Sequence, residues 1–118
     1  MIQSYKDLRV YQKAYEYSLN IHKLTLAFPK MEQYELGSQM RRATKSISLN
    51  IAEGFAKRES NAEFKRFLTM AVASNNEVLV QLDYCKDLGY INMELYDEYT
   101  QAYSEIGGML GKMHNTWT

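Results

Sequence analysis

Apolar residues recur at three- and four-residue spacing along most of this chain, and a single proline, Pro29, interrupts them. Towards the end, Tyr96, Tyr99, Tyr103, Ile106, Leu110, Met113 and Trp117 hold that spacing over about six helical turns. A period near 3.6 residues brings these side chains to one side of a helix, whereas a strand would need an inward residue at every second position. Ala, Leu, Met, Glu, Lys and Gln are abundant where the period is clearest, and the six glycines are scattered, so the chain is read as all-α. Its 118 residues suffice for one core that buries roughly two thirds of the unfolded surface, so we expect a single domain over residues 1–118.

Start and stop signals divide the chain into four helices. Ser4 and Asp7 form a capping box that opens the first, over 5–28, which Pro29 ends. The loop 29–37 holds one turn of helix at Met31 to Tyr34. Ser38 caps the second helix, over 38–57. Ser60 and Glu63 form another box, opening the third helix over 61–88, with Gly89 as its stop. Asn92 caps the fourth, over 93–115. Short connections between four helices predict an antiparallel up-down-up-down four-helix bundle.

Two helices are apolar on opposite sides. In the first, Val10, Ala14, Tyr17, Ile21, Leu24 and Phe28 form a bundle seam, while Leu8, Tyr11, Tyr15, Leu19 and Leu26 lie on the far side with His22. In the third, Phe64, Leu68, Ala71, Val78, Leu82 and Cys85 face inward, with Asn75 among them. Met70, Ala73, Val80 and Tyr84 lie opposite. One core covers only one stripe per helix, so Leu8, Tyr11, Tyr15, Leu19, Leu26, Met70, Val80 and Tyr84 are expected to form a homo-oligomer interface. Uneven rotation of the helices, burying parts of both stripes in one core, is the alternative.

The second helix carries polar residues beside its apolar stripe: Gln39, Ser46, Asn50 and Glu53 flank Met40, Ala43, Ile47, Ile51 and Gly54. Polar groups near a core need partners, so this flank should govern how the helix docks, and Gly54 should allow a close helix contact. Glu53 and Glu77 could pair for acid–base work, but hydrogen bonds or a salt bridge from a neighbour such as Arg42 make a structural role the stronger reading. The two histidines, His22 and His114, lack the Glu-x-x-His spacing of a di-iron bundle, and no phosphate-binding glycine loop or Cys/His cluster is present. Cys85 stands alone on an apolar stripe and is read as a buried hydrophobe. These observations predict no catalytic site, metal, cofactor or small-molecule substrate. The N-terminus lacks a basic start followed by an apolar run, and eighteen apolar residues never follow one another, so a cytoplasmic protein without a membrane partner is expected.

Net charge is zero, yet residues 1–66 hold twelve Lys/Arg against seven Asp/Glu, and residues 67–118 hold two against seven. Such asymmetry fits an anionic partner, complementary faces in self-assembly, or a solvated surface. Arg41, Arg42, Lys45, Lys57, Arg58, Lys65 and Arg66 are the candidate phosphate-binding residues. Glu53, Glu59 and Glu63 dilute them.

With the helices placed, several motifs read together: D-L-x-V-x-x-K-A from Asp7 to Ala14, Phe28-Pro29, E-x-Y-x-L from Glu32 to Leu36, Q-x-R-R-A-x-x-S-I-x-x-N-I-A-E-G from Gln39 to Gly54, and E-F-x-x-F-L-x-x-A from Glu63 to Ala71. The pattern resembles the bacterial four-helix-bundle family of proteins encoded in intervening sequences of 23S ribosomal RNA genes. That family in turn is similar to the accessory variability protein of diversity-generating retroelements, a five-subunit barrel that binds a reverse transcriptase and nucleic acid. The resemblance implies a non-enzymatic bundle, a homopentamer, and RNA or a nucleic-acid-processing protein as partner. It marks Gln39, Arg42, Asn50, Glu53, Gly54 and Glu77 as signature positions with structural roles. An adaptor that binds another protein's helix, with no nucleic-acid role, is the other function class carried forward.

Overall fold

The computed structural model describes residues 2–117. A 3-10 turn, Tyr5–Asp7, precedes five α-helices: α1 (Arg9–Thr25), α2 (Lys30–Tyr34), α3 (Leu36–Ala56), α4 (Asn61–Asp87) and α5 (Met93–Thr116). The four long ones form an antiparallel bundle measuring 45 × 23 × 21 Å, in which α3 packs on α1 and α4, and α5 packs on α4 and α1. The short α2 lies against α3.

The ends of the elements follow local chemistry. Ser4 accepts from the Lys6 amide and Asp7 returns a bond to the Ser4 amide, so the predicted box is present, but it closes a 3-10 turn. Leu8 then takes an extended conformation and α1 starts at Arg9 instead of residue 5. Its far end is Thr25 instead of Phe28. Leu26, Ala27 and Phe28 each donate to the carbonyl three residues back, because the approach to Pro29 disfavours continued α geometry. In α3 the predicted cap Ser38 lies inside the helix, which begins at Leu36 directly after α2. Ser60 caps α4 by accepting from the Glu63 amide, and Asn92 caps α5 by accepting from the Leu95 amide. Gly89, with φ of 79°, ends α4. Its amide donates to Lys86, and the Tyr90 amide reaches back to Cys85, a closure that only a left-handed residue allows at low cost.

The core joins Val10, Ala14 and Ile21 of α1 to Met40, Ile47 and Ile51 of α3, Phe64, Leu68, Val78 and Leu82 of α4, and Tyr103, Ile106 and Leu110 of α5. The buried stripe of α1 is turned from its predicted position: Ser18 and Thr25 are buried, while Tyr17 and Leu24 are only partly so. Tyr17 instead packs edge-on to Tyr99 and Tyr103 of α5. Ser18 and Thr25 on α1, with Thr44 and Ser48 on α3, satisfy their hydroxyls on carbonyls of their own helices. Small side chains with satisfied hydroxyls let two helices approach without unpaired donors.

Candidate interaction surfaces

The first surface lies between α1 and α3. Tyr15 and Leu19 are 49% and 48% exposed, and with Tyr5, Tyr11, Ser18, Lys45, Ser48, Leu49 and Ala52 they line an open groove of about 350 Å³. Tyr11 is half-buried, held edge-on by Tyr5 and stacked on Tyr15. Leu26 is exposed beyond the end of α1. Leu8, expected on this far side, is instead 2% exposed and belongs to the core. The extended residue after the 3-10 turn breaks the helical phase that would have carried it outward. Leu49 was not singled out from the sequence; the sign was an apolar residue among the polar neighbours of its helix.

The second surface lies between α3 and α4. Val80 and Tyr84, 55% and 58% exposed, line a groove of about 580 Å³ with Leu36, Leu88, Gln39, Gln81 and three carboxylates, Glu32, Glu35 and Glu77. Met70 is exposed on the same α4 stripe. Along α3, the signature residues Gln39, Arg42 and Glu53 stand exposed and Asn50 is half-buried. The expected shielding of this flank is therefore confined to its middle. Asn50 donates to the Ser46 carbonyl and hydroxyl, and the Ser46 hydroxyl meets that of Ser74 across the interface at 2.9 Å. Glu77 accepts from Gln81 at 3.2 Å, and among the described residues no salt bridge joins Arg42 to Glu53 or Glu77. Helix rotation explains this: the close α3–α4 approach falls at Gly54, where a Cβ would stand 2.8 Å from that of Phe67, so the flank beside it opens to water.

The basic residues divide into groups with different work. Arg41, expected among the phosphate-binding residues, is half-buried and turns inward, donating to the Thr25 hydroxyl and the Gln33 carbonyl, both at 2.8 Å. It clamps the α1–α2 connection onto α3. Lys45 lies in the first groove and Arg42 is exposed. Lys57, Arg58 and Arg66 gather where α3 turns into α4. Lys57 and Arg66 lie over the Phe67 ring and Arg58 over Phe55. Arg66 also pairs with Glu63, whose carboxyl is held below its ordinary range mainly by that hydrogen bond. Lys65, half-buried, neighbours the same turn.

Inside the bundle, the Cys85 thiol lies 3.4 Å from the Met40 sulfur, and its pKa is pushed up to about 12 by burial, with the Glu32 charge adding to it. A neutral, shielded thiol is a poor nucleophile. Tyr103 is likewise driven upward by burial. Asn75 donates to the Tyr103 carbonyl, and Gly107 leaves room for it, since a Cβ there would stand 2.9 Å from the amide nitrogen. Among the described residues, no three His, Cys, Asp or Glu side chains come together as metal ligands would. No described helix is long and apolar enough to cross a membrane.

This architecture defines an all-α four-helix-bundle protein with two uncovered apolar sides sharing α3. The chain belongs to the 23S rRNA-intervening sequence protein family, whose sequence model matches residues 6–112. It is similar to a crystal structure from Bacteroides thetaiotaomicron, described as a protein of unknown function from the S23 ribosomal protein family, with 26% identity and a TM-score of 0.82. The alignment covers 91% of this chain and 96% of that one. No curated protein matches.

Proposed function

We propose that this protein is a non-enzymatic structural protein that assembles with copies of itself into a ring-like homo-oligomer in the cytoplasm and presents a basic rim to RNA or an RNA-processing partner. The observation that carries the reading is the exposure of Tyr15 and Leu19 on one side and of Val80 and Tyr84 on another. Water contact with apolar area costs roughly 25 cal/mol per Å², and contiguous patches of this kind on soluble proteins mark contact sites. Five subunits is the number implied by the family resemblance. The shielded Cys85 and the solvent-facing Glu53 and Glu77 support a role without catalysis.

Light scattering at micromolar concentration should return a multiple of the 13.8 kDa subunit mass. A monomer would overturn the reading. Replacing Tyr15 and Leu19 with Glu should dissociate the assembly while the helical circular dichroism persists. The nucleic-acid part rests on Lys57, Arg58, Lys65 and Arg66 at the α3–α4 turn. Changing Lys57, Arg58 and Arg66 to Gln should weaken retention of structured RNA and flatten its salt dependence without altering oligomer mass. Wild-type protein that retains no structured RNA at about 50 mM salt, where electrostatic binding is strong, would leave a protein-only scaffold or helix-binding adaptor.

A further inference from the structure

The side of the bundle between α1 and α5 lies away from both apolar faces that flank α3, and there the two helices meet far less closely than the other neighbouring long helices do. A hollow of about 770 Å³ opens over Tyr17, Gly108 and Met109. A second, of about 590 Å³, follows over Ile2, Met113 and Trp117, with the buried Leu8 and Val10 beneath it. Arg9, Met109 and Lys112 line both, so the two form one trough. From Glu105 to Trp117 it follows α5 for roughly 18 Å, the length of three helical turns. A Cβ on Gly108 would meet nothing within 4 Å, so the trough is open above α5.

Its charges are set out in order. Lys13 is paired with Glu105, and Asp7 is engaged by the Gln3 and Ser4 amides. Among the described residues, the exposed Arg9, Lys112 and Glu16 have no ionic partner. The two cations stand where the hollows join. Glu16 lies two turns further along α1, roughly 10 Å from Arg9 along the helix axis. We infer that the trough seats a helix of a separate partner protein, which lays an apolar stripe on Met109, Met113 and Trp117, a carboxylate against Arg9 and Lys112, and a basic residue two turns away against Glu16. Methionine side chains adapt to the shape of such a stripe, and the opposite charges fix its register. A nucleic-acid strand matches less well, because its phosphates are all negative and would oppose Glu16. The trough is open whether or not subunits assemble through the sides flanking α3, so this inference and the assembly reading fail separately.

The test pans a random library of peptides about 16 residues long, enough for four turns of helix, on the wild-type full chain, with counter-selection on R9E/K112E. Recovered peptides should share helical apolar spacing, with Asp or Glu and, about seven residues away, Lys or Arg. By fluorescence anisotropy, R9E/K112E should bind them at least about tenfold more weakly, and a peptide whose acidic residue is changed to Lys should regain binding to that variant. G108W, which fills the trough and leaves its charges alone, should abolish binding. Light scattering should return the wild-type mass for both variants. A selection that yields no peptide dependent on Arg9 and Lys112, peptides without a carboxylate, or binding that survives G108W would overturn the inference. An altered oligomer mass in R9E/K112E would make a second copy the occupant, and displacement of the peptide by a short single-stranded RNA would make it nucleic acid; either result also overturns the inference. Should circular dichroism show R9E/K112E unfolded, R9Q/K112Q takes its place with the same loss expected.

Discussion

Arg41 shows how one side chain can belong to the surface by periodicity and to the interior by chemistry. Its guanidinium forks to the Thr25 hydroxyl and the Gln33 carbonyl, and Gln33 in turn donates to the carbonyls of Leu26 and Phe28, so a short relay holds the loop before α3. Arg41→Ala should cost about 1–3 kcal/mol in urea denaturation, and Arg41→Lys should recover little, since an ammonium lacks the planar fork. Full stability in the alanine variant would return Arg41 to the free basic surface. The glycines make a similar contrast. Gly54→Ala would press a methyl against the Phe67 Cβ at 2.8 Å and the Phe64 ring at 3.0 Å, so its net cost should be about 1–3 kcal/mol despite better helix propensity. Gly108→Ala has nothing within 4 Å and should stabilise by about 0.5–1 kcal/mol. Thermal melts of both variants would check that opposite sign. The close approach at Gly54 was legible in the chain because glycine inside an apolar stripe has few other uses.

Among the helices, period and capping chemistry located every long one, and the errors lie where neighbouring segments compete. Leu8 reads as part of the first helix, yet the Ser4 box closes a 3-10 turn and spends the residue after it in an extended conformation. Ser38 reads as a cap, but α2 brings the chain to α3 already turning, so the helix starts two residues earlier. Rotation is harder still. A polar residue beside a stripe can face water or a neighbour with little change in pattern, and Gln39, Arg42 and Glu53 took the solvent side while Asn50 found Ser46. Asn50→Leu should therefore lower stability by about 1 kcal/mol through its lost bonds, whereas Glu53→Leu should leave the melting of a dissociated subunit nearly unchanged. Equal losses for both, measured in the Y15E/L19E background, would show that Glu53 has a partner within the subunit.

For the bundle as a unit, pH offers a test of what is shielded. The carboxyls of Asp7, Glu63 and Glu105 are held below their ordinary range, by the Gln3 and Ser4 amides, by Arg66, and by Lys13 with Gln101 respectively. Their contribution is present above the unfolded carboxylate range and fades as pH falls through the folded values; being exposed, it is small. At the alkaline end, burial raises Cys85 from 9.0 and Tyr99 and Tyr103 from 10.0. A group raised in the folded state stabilises fully below its unfolded value and loses that contribution as pH rises towards the folded one. The urea midpoint should thus fall gently below about pH 5 and steeply above about pH 9, and Cys85→Ala should move the alkaline onset towards about pH 10. An onset that does not move would mean the thiol ionises in the folded protein. A native thiol assay at pH 8 should likewise leave Cys85 unmodified until the chain is unfolded.

Helix content, the number of long helices, the caps of α4 and α5 and the surplus of apolar residues on the first and third were written in local spacing, because hydrogen bonding within a helix and the cost of wetting apolar side chains act on neighbours three and four apart. Which of those residues stay uncovered was not. Leu8 and Tyr15 share a sequence face, yet one is sealed and the other lines a groove; Arg41 and Lys45 are a turn apart, yet one is a clamp and the other stands alone among tyrosines. Those outcomes, and the gathering of Glu32 from α2, Glu35 from the α2–α3 junction and Glu77 from α4 into one groove, depend on how far each helix turns about its axis when all four pack together. That angle is set by the summed fit of side chains such as Gly54 against Phe67 and Ser46 against Ser74, a long-range balance of packing that no local window of the chain contains.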